Sequence, residues 1–450
     1  MRRHLLCLAI GAALLGASTG AFAVTDTESN PSFQFALANP GARSTGMGGA
    51  FLGLADDATA AYANPAGLTQ LVTPEVSAEF RHTEYSVPFI SGGSATINPF
   101  NGSGLQVSQA NSSVDSLSFL SVVFPHDRWS FAFFRDDLLH FNSDSARGAL
   151  AGEPVTENGE LFGTAFPVQT HSDIKVIDYG FAVAFKAADN VSLGAGLSYY
   201  DFNIGTFSNR YGFAPTFTDT SVILNRQEQF GNDKDFGINL GARVVFNSEF
   251  SAGATYRRGP KFSYEATSAA FANVVQNADG SFTPTATTPT IVTDLKDVPF
   301  KVPDQFGAGV SWHPTDALVV NFDLDYIQYS QLTHGLQSLF GNDATIASRL
   351  SIPNGTEIHL GGEYTFTQMS HPLSVRAGVW HDPRHSIEFT GDPGEDLGSV
   401  ALAVLYNGGK GPQNHGAIGL GWAFPKFQID AAADFSDVTD TYSISAVYHF

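Results

Sequence analysis

From about residue 76 onward, apolar side chains fall on every second position, and Gly, Ser, Asp or Asn fill the places between. A period of two marks a β-strand with unlike faces, because successive side chains leave a strand on opposite sides. Leu193, Ala195, Leu197 and Tyr199 share one face, while Ser192, Gly194, Gly196 and Ser198 share the other. Phe306, Ala308, Val310 and Trp312 oppose Gln305, Gly307, Gly309 and Ser311; Leu318, Val320, Phe322, Leu324 and Tyr326 oppose Asn321, Asp323 and Asp325. The pattern predicts strands over 76–87, 117–124, 129–136, 174–186, 191–202, 235–246, 250–258, 305–312, 318–329, 357–366, 373–380, 417–424, 427–435 and 441–450. Tight turns such as Pro125-His126-Asp127-Arg128 and His313-Pro314-Thr315-Asp316 alternate with long Gly-, Ser-, Asn- and Pro-rich loops.

Fourteen such strands, all with short turns on one side and long loops on the other, suit an antiparallel membrane barrel, whose strand number is even. Closure leaves no unpaired edge, and lipid takes the apolar face. A carboxylate facing lipid near the midplane would cost several kcal/mol, so the Asp-bearing faces must line the interior. Trp129, Trp312, Tyr326, Tyr329, Trp380, Trp422, Tyr448 and Phe450 stand near strand ends, where they suit the interfacial girdles. The predicted fold is all-β: a 14-stranded antiparallel transmembrane β-barrel, short turns periplasmic and long loops outside.

The N-terminus supplies an address. Arg2 and Arg3, the apolar run Leu5–Leu15 and the small-x-small site Ala21-Phe22-Ala23 read as a signal peptide over residues 1–23. A membrane anchor is the competing reading, but its apolar run would need about 20 residues. The single cysteine, Cys7, lies inside this segment, so the processed chain is expected to hold no disulfide and no Cys-ligated metal. Export, 38 Phe, 45 Gly and a mean hydropathy of −0.03 point to the Gram-negative outer membrane. The net charge of −21, more negative by two once Arg2 and Arg3 are removed, argues against nucleic acid. An acidic exterior is compatible with divalent cations bridging it to lipopolysaccharide.

Residues 24–73 do not read as strands. Gly41–Ala50 is too Gly-rich for a stable helix; Asp56–Ala63 reads as a short helix with acidic residues in its first turn, stopped by Asn64-Pro65. A barrel of this size has a lumen able to hold such a segment. The expected division is signal peptide 1–23, a plug or hatch 24–73 inside the lumen, and barrel 74–450; a periplasmic tail is the alternative for 24–73.

Ser32-Phe33-Gln34-Phe35, Ala55-Asp56-Asp57-Ala58 and Asn64-Pro65-Ala66-Gly67-Leu68 resemble the hatch of the FadL/TodX family of outer-membrane transporters for hydrophobic compounds. Arg376-Ala377-Gly378-Val379, His381-Asp382-Pro383 and the strand pair around Trp312–Asp316 resemble that family's barrel, and Phe450 resembles the terminal signal read by barrel-assembly machinery. Ser44–Ala50 also resembles related barrels that act as shuttles or assembly scaffolds. The resemblance implies capture of a hydrophobe, foremost a long-chain fatty acid, among the outer loops. Lumenal binding and release past a rearranged hatch, in part sideways through the wall, would follow. It implies no enzyme activity and no cofactor, and the working picture is a monomer.

Asn64, Pro65 and Ala66 are the expected gating residues. Phe33 and Phe35 either touch ligand or pack the hatch. Arg243, Arg257 and Arg376 lie on the lumenal parity, where they could meet an anionic head group or pair with Asp235, Asp323, Asp325 and Glu363. No Gly-x-Ser-x-Gly stands in a strand–turn–helix context, and His381, Asp382 and His385 sit in loop-like sequence. A diffusion porin would lack the N-terminal plug.

Overall fold

Alternation of apolar and small polar residues closes the wall as expected. In the computed structural model the described residues are 37–95, 105–147, 151–152, 154–155, 160–161, 168–211, 223–270, 274–276, 282–284, 290–335, 348–392 and 411–450. The signal segment, Phe33 and Phe35 lie outside them. The first six strands are β1 Glu75–Ala95, β2 Leu105–His126, β3 Trp129–Arg147, β4 Val168–Ala188, β5 Val191–Tyr211 and β6 Ile223–Val245. Next come β7 Phe250–Arg258 with its outward continuation β8 Lys261–Ala270, and β9 Thr290–Lys301 leading into β10 Gln305–Thr315. The last are β11 Leu318–Ile327, β12 Gly355–Phe366, β13 Leu373–Asp382, β14 Gln413–Ala423, β15 Phe427–Phe435 and β16 Thr439–His449. With β7–β8 and β9–β10 each counted as one interrupted strand, this is a closed 14-stranded antiparallel barrel. Antiparallel pairing of β1 with β16, from Glu75 opposite His449 to Tyr85 opposite Thr439, closes it.

Faces sort by parity. Leu193, Leu197, Ile418, Leu420 and Trp422 face outward, whereas Asp178, Asp323 and Asp430 are buried inside. The wall is uneven in height. β1–β6 run 19 to 23 residues, but β10–β16 run 9 to 12. A spanning strand needs only about 9–11 residues. The tall side therefore stands well beyond the membrane, over sequence such as 105–116 and 223–234 expected as loop. Above the bilayer both faces of a strand can be polar, so the apolar contrast that marks a strand is lost.

Two expected girdle aromatics turn inward. Val379 faces outward, so Trp380 must face the lumen, where it stacks against His359 and His415. Tyr329 lies beyond the end of β11 in the 3₁₀ segment Tyr329–Gly335, fully buried, and its hydroxyl donates to Glu357 at 2.7 Å.

Residues 37–73 hold no strand and fill the lumen. Their helical parts are α1 Ala42–Gly46, α2 Ala60–Ala63 and a 3₁₀ turn Pro65–Gln70. Both helical expectations shift: a short helix does form within the Gly-rich stretch, and the second begins only at Ala60. Asp57 is used otherwise, accepting from the Thr59 amide at 2.9 Å and hydroxyl at 2.5 Å ahead of α2.

Candidate functional site

Hatch and wall meet backbone to backbone because the lumenal positions opposite the hatch are glycines. A side chain at Gly361 or Gly378 would collide with Met47, one at Gly194 or Gly241 with the Asn64–Ala66 turn, and one at Gly253 with Leu52. Glycine is what a strand carries where another backbone must come this close. Gly48 and Gly49, at φ +63° and +81°, turn the hatch chain past β12 and β13.

Polar wall residues then tie down the main chain of the hatch. Asp323 accepts from the amides of Phe51 and Leu52 at 2.5 and 2.8 Å. Glu79 accepts from Gly41 N at 2.9 Å, and Ser121 donates to Ala58 O at 3.1 Å. Asn64, fully buried, donates to Leu52 O at 3.0 Å and to Ala242 O at 3.2 Å, while its own side-chain oxygen caps Ala66 N at 3.2 Å. Asn64 thus fastens hatch to wall and starts the 3₁₀ turn in which Pro65 and Ala66 lie.

The three expected lumenal arginines are all engaged. Arg376 reaches Glu363 at 2.5 Å and Asp430 at 2.7 Å. Arg257 donates to Gln305 and to Tyr62 O, each at 2.8 Å, and lies 3.7 Å above the Tyr62 ring. Arg243 donates to Gly53 O at 3.3 Å. The hatch supplies a cation of its own in Arg43, which joins Asp56 at 2.6 Å to Glu363 at 2.9 Å and so extends the Arg376 network across the interface. Burial raises the Asp57 carboxyl above its ordinary value, against the pull of neighbouring Arg43.

A continuous run of buried apolar side chains climbs from the hatch (Met47, Phe51, Tyr62, Leu68) past Phe119, Phe134 and Phe141 to Val176, Phe202, Ile204 and Phe262. Phe202 stacks on Phe262 and Phe300 with centroids 4.7 and 5.1 Å apart. Phe141, Ile204, Phe262 and Phe300 lie outward of the expected strand ends, whereas Phe119, Phe134, Val176 and Phe202 lie within expected strands. Continuing the parity of Tyr200 upward reaches Phe202 and Ile204.

The wall itself is broken beside this track. β2 and β3 pair only over 119–126 against 129–136, yet β1–β2 pairing continues to Leu105 and β3–β4 pairing to Arg147. At Asp137/Leu139 a bulge turns β3 away from β2. Ser118 and Asp137 mark the start of the parting, and the next residues outward on each strand border a cavity of about 110 Å³ that extends to the hatch.

A family model described as outer membrane protein transport protein (OMPP1/FadL/TodX) matches residues 161–388, just over half of the chain. The chain belongs to this family. It is an outer-membrane transport barrel for hydrophobic compounds. Solved barrels similar to this FadL/TodX member include a Pseudomonas aeruginosa FadL homologue, 16% identical, with 90% of this chain and 97% of that one covered and a TM-score of 0.59. The Ralstonia pickettii toluene transporter TbuX is 16% identical over 93% and 100%, TM-score 0.53, and the P. putida toluene transporter TodX 14% identical over 92% and 99%, TM-score 0.56. At such identities the likeness concerns the fold. No curated protein sequence matches the chain.

Proposed function

We propose that this barrel imports hydrophobic small molecules, long-chain fatty acyl compounds first among them, without chemical conversion. A molecule captured at the tall outer rim would pass along the Phe141–Phe202–Phe262 lining and leave after rearrangement of the hatch, in part through the parting of β2 and β3. The observation that carries this reading is the contiguity of the buried apolar lining with the break in the wall. Each methylene moved from water into such a lining gains about 0.8 kcal/mol, so affinity itself selects the cargo. The hatch, held through Asn64 and the turn at Pro65 and Ala66, closes the aqueous route meanwhile. In the same reading lipopolysaccharide surrounds the rim, and Phe450 serves barrel assembly.

A second cargo, monoaromatic hydrocarbons, is favoured by the stacked rings of Phe202, Phe262 and Phe300 and by the toluene transporters among the similar structures. Uptake of labelled oleate and labelled toluene by a deletion strain, with and without the restored chain, decides between them. Uptake of neither compound rising on restoration would overturn the transport of both.

A further inference from the structure

The cavity at the parting of β2 and β3 has a mixed lining. Leu37, Tyr85, Val114, Leu138 and Leu139 contribute apolar surface, while Arg81, Asp137 and His140 bring polar groups to the same space. Asp137 is the unusual member. Its side chain is 2% exposed, and neither carboxylate oxygen has a hydrogen-bond partner among the described residues. Arg135 and His140 stand 3.7 and 3.8 Å away, beyond hydrogen-bonding reach. A buried carboxylate left like this is costly unless something else donates to it.

Arg135 and His140 thus lie at ion-pairing distance from the acid without donating a hydrogen bond to it. Arg81 is turned onto Glu79, which it meets at 3.1 Å. Across the space lie three more carboxylates, Glu357, Asp382 and Asp434. They are held by Tyr329, His385 and His415 at 2.7, 3.1 and 2.6 Å respectively. A second anion entering here would face four carboxylates, with only Arg81 Nε and His140 Nδ1 among the described residues of the lining left as unpartnered nitrogens to meet it. A hydroxyl or ammonium would instead find the free oxygens of Asp137, with Leu138 and Leu139 beside it to receive the start of an alkyl chain.

We propose that this cavity is a head-group site for long-chain amphiphiles whose polar end donates hydrogen bonds, such as primary alcohols and amines, and that it discriminates against carboxylate anions. This rests on the transport reading and narrows its cargo. A fatty acid would use the site only as the neutral acid, whose hydroxyl can donate to Asp137.

The test is competition for labelled 1-dodecanol on the purified full chain in detergent at pH 8, where laurate is ionised. Unlabelled 1-dodecanol and dodecylamine are expected to compete at least about tenfold better than laurate or dodecane. Asp137→Asn, checked for its heat-modifiable fold, is expected to bring alcohol and laurate to within about twofold of each other. Laurate or dodecane competing as well as 1-dodecanol on the unaltered chain overturns the proposal, and that series decides alone if the variant does not fold. An unchanged alcohol-to-laurate ratio in a folded variant overturns it too. Such failures leave transport standing if oleate or toluene uptake still depends on the chain; loss of that dependence removes both.

Discussion

Asn64 does with one side chain what the hatch needs at its narrowest turn. Its amide group donates to carbonyls of the hatch and of β6, and its oxygen caps the following 3₁₀ turn. Asn64→Asp keeps the shape and removes both donors, leaving Leu52 O and Ala242 O without them. Leaving a buried polar group unsatisfied costs about 1–3 kcal/mol. Faster amide hydrogen exchange over residues 50–70 in a still-folded barrel is the expected result; an unchanged pattern would mean that Asn64 does not hold the hatch. Arg376 makes a different case. It is buried between Glu363 and Asp430, so Arg376→Ala leaves Asp430 without its cation and Glu363 to Arg43 alone, and is expected to cost about 3–5 kcal/mol of barrel stability. The readout is the denaturant midpoint for loss of the heat-modifiable form. Weaker ligand binding at an unchanged midpoint would instead assign Arg376 to cargo recognition.

Among the elements, membrane-embedded strands were legible and their outward halves were not. Alternation shows in sequence only where lipid on one side and a wet or packed lumen on the other force opposite chemistries onto neighbouring residues. Leu193 to Tyr199 displays it plainly. The upper parts of β2, β4 and β6 stand where that contrast fades, so the sequence around Leu105 and Ile223 carries a loop-like pattern although both open strands. Trp380 shares parity with lumenal Arg376 and faces the lumen, yet an aromatic at a strand end fits a girdle equally well in sequence. The hatch was legible as a non-strand segment, and its seating was written in the glycines opposite it. Those glycines predict an outcome at this scale. Gly378→Val, with its side chain directed at Met47, should push the α1 end of the hatch off β13. The expected consequence is increased protease cleavage within residues 40–50 while the barrel stays heat-modifiable. Resistance equal to that of the unaltered chain would show that the hatch does not dock there in the membrane.

Taken whole, the molecule is a tall-sided cylinder whose plug is fastened by many modest ties distributed around the lumen. Glu79, Ser121, Asp323, Arg257, Arg243 and Glu363, the last reached by Arg43 of the hatch, come from strands on several sides of the wall. Each hydrogen bond of this kind contributes only about 0.5–1.5 kcal/mol net. Breaking one tie should therefore loosen the plug without clearing the lumen, whereas removing the plug should clear it completely. Liposome swelling in arabinose separates these cases. The full chain is expected to be nearly silent, and a chain lacking residues 37–73 to conduct freely. Asn64→Asp or Arg43→Ala should fall close to silent, with only brief openings in single-channel records. An intact chain that swells vesicles as fast as the plugless one would mean that the lumen is open beside the hatch. Hydrophobic cargo would then have no reason to take the apolar track to the wall, because the wider aqueous route would serve small solutes of every kind.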